Sequence, residues 1–173
     1  MPLIALTGGP GSGKTAVIGA LRERGYDCVT ESARAIIHER IKRGLDPRPP
    51  AREFAEQVLR RDIRQYARMA GASCPVFFDR CILDALSMFD QLGLELSEHQ
   101  TLLAKYPYFR TAFSFPPWKE IYTTDAERDQ TFDDALAVHE AVTGWYRKCG
   151  YDLMEVPRGS VRERCDFILQ QIA

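Results

Sequence analysis

Apolar residues in this chain fall in short unbroken runs that alternate with longer stretches of helical spacing. Leu3-Ile4-Ala5-Leu6-Thr7 is a run of the first kind and predicts a buried strand. Residues 16–24 follow with Val17, Ile18 and Leu21 on one side, as in a helix. Residues 26–30 predict a second strand ending at Glu31; residues 32–43 a helix with Ile36, Ile37 and Ile41 apolar, stopped at Gly44. Asp46-Pro47-Arg48-Pro49-Pro50 is a loop, and a long helix over 51–70 brings Phe54, Val58, Ile63 and Tyr66 near one side. Pro75-Val76-Phe77-Phe78 predicts a third strand that stops at Asp79. Helices are expected over 84–92 and 97–106, then a fourth strand over 108–115, broken by Pro116-Pro117-Trp118. Residues 132–149 read as helix, 151–156 as a fifth strand and 162–172 as a closing helix. Strands alternating with helices imply an α/β fold: a parallel sheet covered on both faces, with ligands beyond the carboxyl ends of its strands.

The junction of the first strand and helix holds the most specific signal. Gly8-Gly9-Pro10-Gly11-Ser12-Gly13-Lys14-Thr15 matches the phosphate-binding pattern G-x-x-x-x-G-K-[ST] in full. Backbone amides of such a loop converge on nucleotide phosphates, Lys14 would reach the β- and γ-phosphates, and the Thr15 hydroxyl would bind Mg²⁺. The helix dipole points at the same place.

Other strand ends supply candidates around it. Asp79 can hold Mg²⁺ directly or through water, and Arg80 can clamp a phosphoryl or carboxylate group. Glu31, with Arg34 three residues on, can orient or deprotonate an acceptor hydroxyl, or can be an acid at a helix start beside Ser32. The polar segment Tyr122-Thr123-Thr124-Asp125-Ala126-Glu127-Arg128-Asp129 reads as a lid, about 122–131, that swings Arg128 over the transferring phosphate. It reads equally as a helix start capped by Thr124 or Asp125. Arg158, in Pro157-Arg158-Gly159-Ser160, either stacks on adenine or belongs to a plain connection in which Ser160 caps a helix. Arg60, Arg64 and Arg68 form a basic stripe read as a solvated helix face, and His38, His99 and His139 lack metal-ligand spacing. The aromatic residues of 106–109 and 113–115 read as core rather than a stacking platform.

Composition narrows the setting. With 173 residues, 45% hydrophobic and 27% charged, the chain is expected to form one domain over 1–173. A net charge of -1 speaks against nucleic acid or anionic membrane as partners. No apolar run approaches a membrane span, and from the opening strand and Pro2 neither a signal peptide nor N-myristoylation is expected. Five scattered cysteines suit reduced thiols, hence a cytoplasmic location. Oligomeric state is not encoded legibly; a homodimer is allowed.

Several of these segments together resemble one family: residues 6–15, Glu31-Ser32-Ala33-Arg34, Phe78-Asp79-Arg80 with Asp84, Pro116-Pro117-Trp118, Asp125-Ala126-Glu127-Arg128, and Val156-Pro157 with Val161-Arg162-Glu163-Arg164. It is the family of small P-loop ATPases of AAA type related to the nicotinamide-riboside-kinase half of the bifunctional NAD-biosynthesis regulator. The resemblance implies a three-layer P-loop NTPase fold of nucleoside- or nucleotide-kinase type, with a five-stranded sheet ordered 2-3-1-4-5. It also implies bound ATP and Mg²⁺, Asp79 as the Walker-B-like carboxylate, Glu31 near the acceptor and Arg128 in a lid. The expected activity is transfer of the γ-phosphate of ATP to a small, hydroxyl-bearing, nucleoside-like metabolite. The alternative is a regulatory ATPase that hydrolyses slowly and signals to a partner; the guanine-reading N-K-x-D segment of GTPase switches is missing.

Overall fold

The computed structural model describes residues 2–94, 97–122 and 131–172. Its centre is β1 (Leu3–Gly8), six residues buried without exception. Around it the chain builds α1 (Lys14–Glu23), β2 (Asp27–Val29), α2 (Ser32–Lys42), α3 (Ala51–Met69), β3 (Val76–Asp79) and α4 (Ile82–Gln91). Then follow α5 (His99–Lys105), β4 (Thr111–Phe115), a 3₁₀ turn at Lys119–Ile121, α6 (Phe132–Lys148), β5 (Asp152–Glu155) and α7 (Val161–Ile172). All pairings are parallel and the strand order is β2-β3-β1-β4-β5, as expected.

Strand periodicity divides the core into two layers. Leu3 and Ala5 of β1 face a cluster with Ile36, Phe54, Val58, Leu86 and Tyr146, contributed by α2, α3, α4 and α6. Ile4 and Leu6 face Val17, Leu21, Cys165 and Ile168 of α1 and α7. The sheet is therefore covered on both faces, which is why β1 and β3 read as continuous apolar runs. Among the described residues no helix is long and apolar enough to cross a membrane.

Differences lie at element ends. The α4 helix begins at Ile82 rather than residue 84, and β4 at Thr111 rather than residue 108. The amide of Tyr108 is taken by the Tyr151 hydroxyl at 3.2 Å, which diverts it from the strand ladder. The aromatic run before β4 is core, as expected: Tyr108 lies edge-on to Phe78 and Tyr66, with centroids 5.3 and 5.2 Å away.

Candidate active site

The loop between β1 and α1 is shaped by what approaches it. Gly8 has φ 128°, and a Cβ there would collide with the backbone of Phe115 on β4. Gly13, at φ 77°, precedes α1, and a Cβ on it would stand 2.6 Å from the Arg164 guanidinium. Ser12 Oγ donates to the Gly9 carbonyl at 2.9 Å. Lys14 is 6% exposed, and its ammonium donates to the carbonyls of Gly9 and Gly8 at 2.8 and 3.3 Å and to Ser12 Oγ at 3.2 Å. Burial, reinforced by the Arg80 charge, pushes its pKa down to about 8, against the pull of Asp79 and Glu31. The amides of Gly11, Ser12, Gly13 and Lys14 meet no acceptor among the described residues. A row of unmet donors beside a buried ammonium is a site for a polyanion.

At the end of β3, Arg80 turns into the left-handed region, φ 63°, a conformation costing a non-glycine residue about 1 kcal/mol or more. The turn lays its guanidinium along the sheet edge, where Nε meets Glu31 Oε1 at 3.2 Å and Nη1 meets Asp84 Oδ1 at 3.1 Å. Asp84 also accepts from the Thr7 and Tyr146 hydroxyls and, at 3.1 Å, from the Cys81 amide. It is the organiser that holds Arg80 against Glu31. Glu31 precedes α2 without capping it through its side chain.

Asp79 is 4% exposed, and burial together with the Glu31 charge pushes its pKa up to about 6 although Lys14 and Arg80 draw it down. Its Oδ1 is buried without a donor. An orphaned carboxylate oxygen at this strand end, with the Thr15 hydroxyl at the helix start, fits a Mg²⁺ ion that takes its other ligands from phosphates and water. No group of three His, Cys, Asp or Glu side chains that could hold a metal occurs among the described residues.

A cavity of about 530 Å³ joins these parts. The loop residues Pro10 to Thr15 line one end, with Glu31, Ser32, Arg34, Arg80 and Asp84 beside them. It then continues between α2, α3, α4 and α6 along an apolar wall of Ile37, Phe54, Val58, Met88 and Val142, where Asp62 and Gln91 also face it. Asp79, Gly8 and Gly9 are not among its lining residues.

Arg158 does not line the cavity: its Nη2 donates to the Pro117 carbonyl at 3.2 Å, and Ser160 caps α7, as in the plain connection. Arg128 and residues 123–130 of the expected lid lie outside the described residues. The Arg60–Arg64–Arg68 stripe keeps to an outer face.

The sequence reading gives no role to three participants. Asp62 is buried, receives Ser32 Oγ at 2.5 Å, and has its pKa raised to about 7 by burial. Arg164 packs behind the loop, and Gln91 sits in the cavity wall. The first two carried a signal: each is a charged residue on the apolar stripe of an amphipathic helix, four residues from Val58 and from Ile168.

The family model described as "AAA domain" matches residues 3–164. The chain belongs to this AAA-domain family. No curated protein matches the AAA-domain chain. Among solved structures it resembles a deoxyadenosine kinase from M. mycoides with dCMP and dCDP, with TM-score 0.64 at 11% identity, covering 98% of this chain and 97% of that one. A shikimate kinase from Acinetobacter baumannii in complex with shikimate gives TM-score 0.60 at 17% identity, covering 99% and 93%. A thymidylate kinase from Candida albicans gives 0.66 at 12% identity, covering 99% and 90%. Together with the strand order, these likenesses establish the three-layer fold of P-loop kinases.

Proposed function

We propose that this AAA-domain protein is an ATP-dependent kinase acting on a small, hydroxyl-bearing, nucleoside-like metabolite. The observation that carries the reading is the continuity of the cavity. The phosphate loop and Glu31 share one space of about 530 Å³, and that space runs on into a wall of apolar side chains suited to a second substrate. A nucleotide switch needs only the loop end.

In this reading the loop amides and Lys14 hold the β- and γ-phosphates of ATP. Glu31 accepts the proton of the acceptor hydroxyl as its oxygen bonds to the γ-phosphorus and the bond to the β-phosphate oxygen breaks, releasing ADP. Arg80, fixed by Asp84, keeps Glu31 in place and adds positive charge beside the phosphoryl group in transit. Thr15 and Asp79 are the residues that would hold Mg²⁺, which supplies charge neutralisation on the phosphate oxygens when bound. Arg128 is proposed as a further cation. The deoxyadenosine kinase with dCMP and dCDP and the shikimate-bound kinase support this reading by fold analogy.

The test is ATP consumption over a panel of nucleosides, sugars and vitamin-like alcohols. Acceptor-dependent ADP release with a phosphorylated product is expected, and Glu31→Gln should slow it about 10²- to 10⁴-fold. Nucleotide binding with no response to any acceptor would sink the kinase assignment, and full turnover in Glu31→Gln would remove Glu31 from its role as base.

A further inference from the structure

Among the described residues no carboxylate neutralises the charge of Arg164. Arg164 sits in the first turn of α7 and is 3% exposed. Its Nη2 donates to the Ser12 carbonyl at 2.7 Å, while its Nε is buried with no acceptor. The guanidinium lies over the rings of Phe115 and Trp118, with centroids 4.8 and 5.7 Å away. Burial lowers its pKa, and among the described residues no carboxylate offsets that effect. Arg80, the half-buried cation at the end of β3, is by contrast held by two carboxylates. A desolvated cation without an anion is costly, and aromatic faces and one carbonyl recover only part of the cost.

Position points to the anion that this charge would serve. The guanidinium presses on the back of the phosphate loop, close enough to Gly13 that a Cβ there would have to displace it. The Ser12 carbonyl it binds belongs to the same peptide unit as the Gly13 amide, one of the donors that meets no acceptor. A charged donor on the carbonyl polarises that peptide and strengthens its N–H as a donor on the opposite side.

We propose that Arg164 is a positioning residue of the nucleotide site. Its buried charge is the counter-charge of the bound polyphosphate and acts through the Ser12–Gly13 peptide without touching the nucleotide. This rests on the nucleotide reading of the loop, not on the kinase reading. The competing role is purely structural, a clamp between α7 and β4 through the two rings. Removing the charge while keeping the bulk separates the two.

The experiment uses the full chain, with Arg164→Met and Arg164→Lys, titrated with a non-hydrolysable Mg-ATP analogue, with ADP and with adenosine, and melted in the absence of nucleotide. Arg164→Met should weaken the ATP analogue about 10- to 100-fold, as loss of one poorly screened charge near the phosphates would. The loss should shrink for ADP and vanish for adenosine, with the nucleotide-free melting temperature held or raised. Arg164→Lys should recover most of the affinity. If Arg164→Met does not fold, Arg164→Gln replaces it with the same expectations. Wild-type affinity for the ATP analogue in the neutral variant overturns the proposal, as does an equal loss for adenosine. Failure of the wild-type chain to bind the analogue would instead remove the nucleotide reading beneath it.

Discussion

Asp62 shows what the cavity costs. Its carboxylate is 6% exposed, and burial outweighs the Ser32 hydrogen bond to push its pKa from 3.8 to about 7. With the folded value above the unfolded one, the folded chain binds this proton more tightly. The stabilising contribution is therefore complete below about pH 4 and is lost as pH rises through 7. Asp62→Asn keeps an acceptor for Ser32 and removes the titration. Its stability should match the wild type near pH 4 and exceed it by about 1–3 kcal/mol at pH 8. Urea midpoints at the two pH values check this, and an offset that does not change with pH would show that Asp62 is not a desolvated carboxylate. A stabilising variant in a cavity wall is the pattern of a group retained for what it binds rather than for the fold.

Helix starts carry the energetics at the next scale. Ser160 and Glu163 form a reciprocal box at the start of α7: the Glu163 amide donates to Ser160 Oγ at 3.2 Å, and the Ser160 amide donates to the Glu163 carboxylate at 2.8 Å. Ser160→Ala should cost about 1 kcal/mol and lower the melting temperature by about 3 °C. An unchanged thermal denaturation midpoint would mean that water replaces the cap without loss. The same chemistry explains where α4 was misplaced. Asp84 looks like a helix-starting acid, yet it is the third residue of the helix, with its carboxylate turned back onto the Cys81 amide. Strand and helix faces were legible because their periodicity is local, and the loop glycines and Lys14 were legible because their spacing is. The pairs that assemble the site join distant positions: Tyr146 with Asp84 across 62 residues, Arg164 with Ser12 across 152. No local period encodes such pairs. Asp62 and Arg164 were visible only as charges at apolar positions, which says that something is unusual there but not what it meets.

For the whole molecule, strand order decides which groups can cooperate. With β1 between β3 and β4, the phosphate loop lies at the middle of the sheet, and parallel pairing brings the ends of β2 and β3 to the same edge. Glu31 and Arg80 therefore reach one cavity from different strands, while Lys14 enters from the helix after β1. Nothing of this geometry survives unfolding, so a nucleotide that needs it binds the folded chain alone. At a hundred times its dissociation constant, a Mg-ATP analogue should add about 2.7 kcal/mol of stability. For a chain of this size that raises the melting temperature by about 5–10 °C. Lys14→Ala should lose most of the shift, because its ammonium is the buried cation at the phosphate end. Glu31→Gln should keep it, because the role proposed for Glu31 is on the acceptor. Differential scanning fluorimetry of the three proteins, with and without the analogue, separates the two ends of the cavity. A shift that survives in Lys14→Ala and disappears in Glu31→Gln would reverse their roles and undo the division of the cavity into nucleotide and acceptor halves.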